Sequence, residues 1–283
     1  MRLATLKDVT SIVVSKHGII PLNRLGFSGS LREFIEAGET EWKRLDDALK
    51  IIKKDIILSH KTLDAPLKNP SKIVAIGLNY YDHARESNME IPKSPLVFAK
   101  FNNSITGPTD SIIIPNNITQ QVDYEAELGV IIGKRTKNIN KENALEYVFG
   151  YTIINDVSAR DIQFSDKQWV RGKSLDTFCP MGPVIITKDE IPDPQNLEIG
   201  CSVNGVTLQL DNTKNMIFNV ADLISQLSYS FTFEPGDIIA TGTPSGVGFS
   251  RKPPIFLKSG DVVCTWIKGI GELINPVLNS QAK

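Results

Sequence analysis

The stretch Val122-Asp123-Tyr124-Glu125-Ala126-Glu127-Leu128-Gly129-Val130-Ile131-Ile132-Gly133 governs the reading of this chain. From Leu128 on it reads as a strand. On a strand, residues two apart project from one face, so Glu125 and Glu127 place their carboxylates side by side. Two carboxylates held that close repel unless a cation lies between them. A third acid, Asp156, follows the apolar run Tyr151-Thr152-Ile153-Ile154. Three carboxylates converging from strand ends make a hard, oxygen-rich donor set, suited to Mg²⁺ or Mn²⁺, with Ca²⁺ also compatible, rather than to Zn²⁺. An exposed strand with alternating charges would share the Glu-x-Glu pattern, but the apolar runs beside both acid clusters argue against it.

Working outward, the pattern from Lys72 onward is β. Ile73–Gly77 and Val184–Ile186 are short apolar runs, and Glu198–Val203 and Val206–Leu210 flank Asn204-Gly205, the strongest short hairpin signal. Ile217, Val220, Leu223, Ile224 and Leu227 recur at helical spacing and predict an amphipathic helix over Met216–Tyr229. Gly236-Asp237 and Gly260-Asp261 each feed a strand. Many short strands with few helices predict a mainly β, barrel-like or sandwich core. Before it, Leu3-Ala4 and Ile12–Val14 suggest two short strands, and Ser30–Lys50 a helix of mixed charge. Leu63-Asp64-Ala65-Pro66-Leu67-Lys68-Asn69-Pro70 reads as a connection, dividing a small α+β domain (1–68) from the main one (69–283).

The composition narrows the function classes. The 283 residues carry a formal net charge of -1, with Lys and Arg spread along the chain, which argues against a nucleic-acid surface. No apolar run is long enough to span a bilayer, and Met1–Asp8 lacks the apolar core of a signal peptide. Cys179, Cys201 and Cys264 are far apart and odd in number, so they form neither a zinc pattern nor a disulfide framework. A reducing, cytoplasmic setting is the expectation.

Two further groups could do chemistry. His83 and Glu86 stand three apart in Asn79-Tyr80-Tyr81-Asp82-His83-Ala84-Arg85-Glu86, where one helical turn puts them on a shared face. A carboxylate so placed can orient an imidazole as a general base, although on spacing alone the pair reads as an incidental one on a solvated helix. Lys173 lies in a polar loop and on its own is an ordinary surface lysine; beside metal carboxylates it becomes an oxyanion or substrate anchor. Thr241-Gly242-Thr243-Pro244-Ser245-Gly246-Val247-Gly248 matches neither the dinucleotide fingerprint nor the P-loop. Such a turn can still offer N–H groups and hydroxyls to a carboxylate.

Together these segments resemble the fumarylacetoacetate hydrolase family. The resemblance rests on Gly77-Leu78-Asn79-Tyr80 with His83 and Glu86, on Asp123–Leu128, on Asn155-Asp156-Val157-Ser158-Ala159-Arg160-Asp161-Ile162-Gln163, on Gly172–Thr177, and on Thr241–Gly248, all in the family's order. The branch most similar holds acylpyruvases, oxaloacetate decarboxylases and hydroxyheptadienedioate isomerases. The resemblance implies a mixed β-sandwich roll as catalytic domain and a divalent ion on Glu125, Glu127 and Asp156. It implies a water-activating dyad of His83 and Glu86, a catalytic Lys173, and Arg160, Gln163, Gly242 and Thr243 near the substrate's oxygens. It also implies a homodimer. The activity expected on this basis is metal-dependent hydrolysis of a C–C bond in a 2,4-dioxo acid. Decarboxylation of oxaloacetate or isomerisation of a 2-hydroxy-diene-dioate is the alternative on the same metal–enolate chemistry. A binding protein with a relict metal site, or a structural Ca²⁺ module, would fit less well, since His83 and Lys173 are both present and no EF-hand loop occurs. The charged segment 80–95 has few apolar anchors and is expected to form a weakly stabilised lid that folds over the site when a 2-oxo acid binds.

Overall fold

The computed structural model describes residues 1–8, 10–15, 18–51 and 63–280. The strand Ala126–Ile132 is buried along its whole length. It lies inside the large sheet, paired antiparallel with Val148–Asn155 on one side and with Ile238–Ala240 on the other. The sheet runs Gly18–Pro21, Ser11–Ser15, Arg2–Leu6, Cys179–Thr187, Val148–Asn155, Ala126–Ile132, Ile238–Ala240, Ile73–Gly77 and Leu96–Lys100. A second sheet has the order Val206–Asn212, Glu198–Val203, Val262–Ile267, Gly271–Asn279 and Ile112–Ile114.

The two sheets pack face to face. Ala126, Leu128, Val130 and Ile132 share one core with Ile199, Val263, Leu273 and Val277 of the second sheet. Ile131, on the opposite face, shares another with Leu31, Phe34, Ile35 and Leu45 of the N-terminal helices. A strand covered on both faces has no solvent side, which is why Leu128–Ile132 reads as a continuous apolar run rather than an alternation. The fold is therefore the mixed β-sandwich expected, mainly β with some α.

Several local expectations shift. The helix expected over Ser30–Lys50 is two helices, Leu31–Glu36 and Glu39–Ile51. Gly38 between them takes φ +81°, a left-handed conformation that no helix continues through. Ser30 and Glu33 form a reciprocal capping box at the first. The helix expected from Met216 starts at Val220, where the Asn219 side chain accepts from Asp222 N. The N–H groups of Ile217 and Phe218 donate instead to the Asn79 carbonyl and side-chain oxygens. The hairpin is as read, with Val203 facing Val206 across Asn204 and Gly205, both at positive φ. The two Gly-Asp turns share one device: Asp237 accepts from Glu234 N (2.7 Å) and Asp261 from Lys258 N (2.9 Å).

The N-terminal strands join the large sheet. Arg2 and Leu3 pair with Ile186 and Ile185, and a third strand, Gly18–Pro21, follows the two expected. Main-chain hydrogen bonds thus tie residues before position 69 to the strand Cys179–Thr187.

Candidate active site

The site forms where strand ends and loops converge at one end of the large sheet. Glu125 precedes the strand Ala126–Ile132, its N–H donating to Asn155 Oδ1 (3.0 Å). Glu127 is the second residue of that strand, and Asp156 follows the neighbouring strand Val148–Asn155. Asp156 N donates to the Glu125 carbonyl, 2.9 Å away. The same-face rule thus delivers the pair: a carboxylate oxygen from each of Glu125, Glu127 and Asp156 lies within 4.8 Å of the others, and all three residues are buried.

Cations press in on this trio. Lys173 Nζ donates to Glu125 Oε2 (2.6 Å) and Asp156 Oδ2 (2.8 Å), and lies 5.1 Å from the centre of the Phe98 ring. Arg160 forms ion pairs with Glu125 Oε1 (2.6 Å) and Asp123 Oδ2 (2.9 Å), and its Nη1 donates to Gln163 Oε1 (2.9 Å). Lys100 Nζ reaches Asp156 Oδ1 (2.6 Å) and also donates to the Lys173 carbonyl. Burial raises the Glu125 carboxyl, yet Lys173, Arg160 and His83 outweigh it and hold the group at about 2. Burial works the other way on Lys173, but the charges of Asp156 and Glu125 keep its ammonium above the usual lysine range. Glu127 differs. Burial, reinforced by Asp156 and Glu125, pushes its carboxyl well up. Among the described residues it accepts one hydrogen bond, from Gly242 N at 3.0 Å.

This donor set fits a divalent cation. Four buried carboxylates, Asp123, Glu125, Glu127 and Asp156, face three buried cations, Lys100, Arg160 and Lys173. Glu127 is the carboxyl left without a cation partner among the described residues, and a dication beside it would offset the burial that disfavours its ionised form. Glu125, Glu127 and Asp156 would be the residues to hold a hard dication, which oxygen donors of this kind favour.

The glycine-rich loop offers its N–H groups to carboxylates, as its composition suggests. Its N–H groups go to the protein's own carboxylates: Gly242 to Glu127, Gly246 to both Glu86 oxygens (3.1 and 2.9 Å), and Gly248 to Asp123 (2.8 Å). The Gly242 N–H thus holds the Glu127 carboxylate in place. Thr243 Oγ1 donates to the Ala126 carbonyl (3.0 Å) and accepts from Gln209 Nε2 (2.9 Å).

His83 and Glu86 sit on the short helix Tyr81–Glu86. His83 Nδ1 is 2.8 Å from Glu86 Oε1, and His83 is buried rather than solvated. With Gly246 gripping Glu86, the imidazole is fixed from behind. His83, Glu125, Arg160, Gln163, Lys173 and Thr243 line a single pocket. The chain beyond this helix leaves Met89 and Ile91 exposed.

Sequence reading missed Lys100 and left Asp123 unassigned. The signals were present. Lys100 ends the strand Leu96–Lys100 two residues after Phe98 and so shares its face, and Asp123 precedes Glu125 by the same spacing.

Residues 72–278 match the family described as fumarylacetoacetate (FAA) hydrolase, C-terminal. The chain is 50% identical over 250 residues, 88% of it and 78% of the relative, to oxaloacetate tautomerase fahd2, mitochondrial, of Xenopus laevis. It is 45% identical over 265 residues, 92% of it and 84% of the relative, to oxaloacetate tautomerase FAHD2A, mitochondrial, of Homo sapiens. Among solved structures, fumarylacetoacetate hydrolase from Exiguobacterium antarcticum superposes with a TM-score of 0.89 at 39% identity, covering 99% of this chain and 100% of that one. Maleylpyruvate hydrolase from Sphingobium sp. SYK-6, solved with manganese (II) ion and pyruvate, superposes with a TM-score of 0.84 at 31% identity over 99% of this chain and 100% of that one. Both curated relatives are named as mitochondrial, where the sequence alone suggests the cytoplasm. No helix among the described residues is long and apolar enough to cross a membrane.

Proposed function

This chain belongs to the fumarylacetoacetate hydrolase family, and from that premise we propose that it tautomerises a 2-oxo acid of the oxaloacetate type with a divalent cation bound to Glu125, Glu127 and Asp156. The observation that carries the proposal is the buried carboxylate trio with Lys173 bridging two of its members, in a chain half identical to a protein named for that activity. The relatives thus favour the enolate alternative over the C–C hydrolysis expected first. Mg²⁺ or Mn²⁺ is the cation we propose, and a manganese-bound relative supports that class.

The cation, when bound, supplies Lewis-acid polarisation of the 2-oxo group. The rest falls to the chain. Lys173 stands against two of the carboxylates and can hold the negative charge that grows on the substrate oxygen. His83, oriented through Nδ1 by Glu86, exchanges a proton with the carbon next to the oxo group. Arg160, fixed by Asp123 and in contact with Gln163, places positive charge beside the substrate's carboxylate.

C–C hydrolysis is the second reading. The His83–Glu86 dyad favours it, since the same imidazole could take a proton from water, and the maleylpyruvate hydrolase likeness supports it. One comparison separates them. With Mg²⁺ or Mn²⁺ present, decay of enol-oxaloacetate absorbance, release of pyruvate from oxaloacetate, and cleavage of an acylpyruvate are followed on one preparation. Enol decay far faster than the other two is expected; acylpyruvate cleavage as the fastest process would replace the proposal with the hydrolase.

A further inference from the structure

The outer half of the pocket differs in kind from the inner half. Beyond the carboxylates and Lys173, its walls are Met89, Phe164, Trp169 and Phe249. Phe164 is 52% exposed and Met89 45%, a large exposure for apolar side chains at the mouth of a site. The rings are braced: Phe164 meets Phe249 edge to face at 5.4 Å between centroids, and Trp169 meets Phe98 likewise at 5.4 Å. Room for the indole is made by Gly77, where a Cβ would stand 2.3 Å from the Trp169 ring.

The charges in the pocket are already engaged. Arg160 pairs with Asp123 and Glu125, Lys173 with Glu125 and Asp156, and His83 with Glu86. Arg160 also lies over one of these rings, its guanidinium carbon 4.5 Å from the centre of Phe249. An aryl group there would gain edge-to-face contacts with Phe164, Trp169 and Phe249.

From this geometry we propose a further activity: the pocket accepts monocarboxylic 2-oxo acids bearing an aryl group on C3, and interconverts their enol and keto forms. The proposal rests on the tautomerase reading above, extending it to a second substrate class. The step is a pure isomerisation. In the enol-to-keto direction C3 gains a proton from His83, the 2-hydroxyl loses one to solvent, the C2–C3 double bond becomes single, and the C2–O bond becomes a carbonyl. No oxidant, reductant or co-substrate is consumed.

The test follows the enol absorbance of phenylpyruvate and of oxaloacetate with the full chain in Mn²⁺. Phenylpyruvate kcat/KM within tenfold of the oxaloacetate value is expected. Phe164→Ala and Met89→Ala, both surface changes that leave folding intact, should each lower the phenylpyruvate-to-oxaloacetate ratio of kcat/KM by fivefold or more. Oxaloacetate turnover without any phenylpyruvate turnover overturns this proposal and leaves the tautomerase reading standing. Turnover of neither overturns both. A ratio unmoved by either substitution shows that the aryl group does not sit against these rings and overturns the proposed subsite.

Discussion

Lys100 Nζ stands 2.6 Å from Asp156 Oδ1, and neither side chain has any exposure to solvent. Asp156 spends its other oxygen on Lys173, so the two lysines hold the carboxylate from opposite sides. Lys100 also donates to the Lys173 carbonyl, which couples the backbone of one cation to the side chain of the other. Removing one partner of a buried ion pair leaves the other charge desolvated and unpaired, at a cost of about 3–5 kcal/mol. Lys100→Met should lower the melting temperature by roughly 6–20 °C at about 2–4 °C per kcal/mol, the slope usual for large domains. Adding Asp156→Asn to that variant should recover part of the loss. Melting curves of the two variants and the parent check this, and a parent-like Lys100→Met protein would show that the pair contributes nothing.

The metal assignment predicts a linked loss. Binding to the folded state alone raises stability by about 2.7 kcal/mol when free metal reaches a hundredfold over its dissociation constant. The melting temperature should climb with added Mg²⁺ or Mn²⁺, and chelator should abolish both the climb and turnover. Glu127→Ala should lose both together, because it removes a ligand. Full activity in that variant without bound metal would mean that the carboxylates are only structural.

The dyad predicts a loss of a different shape. His83→Ala should cut the rate by about a hundredfold, the usual effect of losing a general base, while the metal-dependent climb in melting temperature stays. Glu86→Gln should fall less far, because an amide can still accept from the Gly246 N–H but no longer carries the charge that faces His83. Amide exchange over residues 80–95 with and without oxalate and Mg²⁺ reports on the lid: slowing on binding is expected, and equal exchange in both states would mean that the segment is not a lid.

The cysteines should resist modification. Burial pushes the Cys179 thiol up to about 12, and Cys201 is raised further by the same cause. At pH 8 only about one part in ten thousand of Cys179 would be thiolate, the reactive form. A chromogenic disulfide reagent should therefore find at most the half-buried Cys264 in the native protein, and all three thiols in denaturant. Rapid native titration of all three would show that the core opens readily.

A homodimer is our proposal for the assembly. Leu210, Val262 and Ile274 stand exposed on strands of the five-stranded sheet whose inward residues fill the core, an apolar surface of the kind that subunits cover. Light scattering at micromolar concentration should give twice the chain mass, and Ile274→Asp should shift it toward one. A monomeric parent would refute the proposal.

What the sequence determined by itself was local. Strand periodicity needs only neighbours two residues apart, so Glu125 and Glu127 could be placed on one face. The Asn204-Gly205 turn and the buried run Leu128–Ile132 were legible for the same reason. A single glycine, Gly38, divided what its charge pattern made one helix, because periodicity does not register one left-handed residue. The tertiary structure decided how the charges are compensated. Lys100 and Asp156 are 56 positions apart, and the N–H groups of Gly242, Gly246 and Gly248 find Glu127, Glu86 and Asp123 across more than a hundred. A buried carboxylate must be paired wherever the chain can bring a partner. Which partner arrives depends on how two sheets and their loops close on one another, and that is a property of the packed fold rather than of any window of residues.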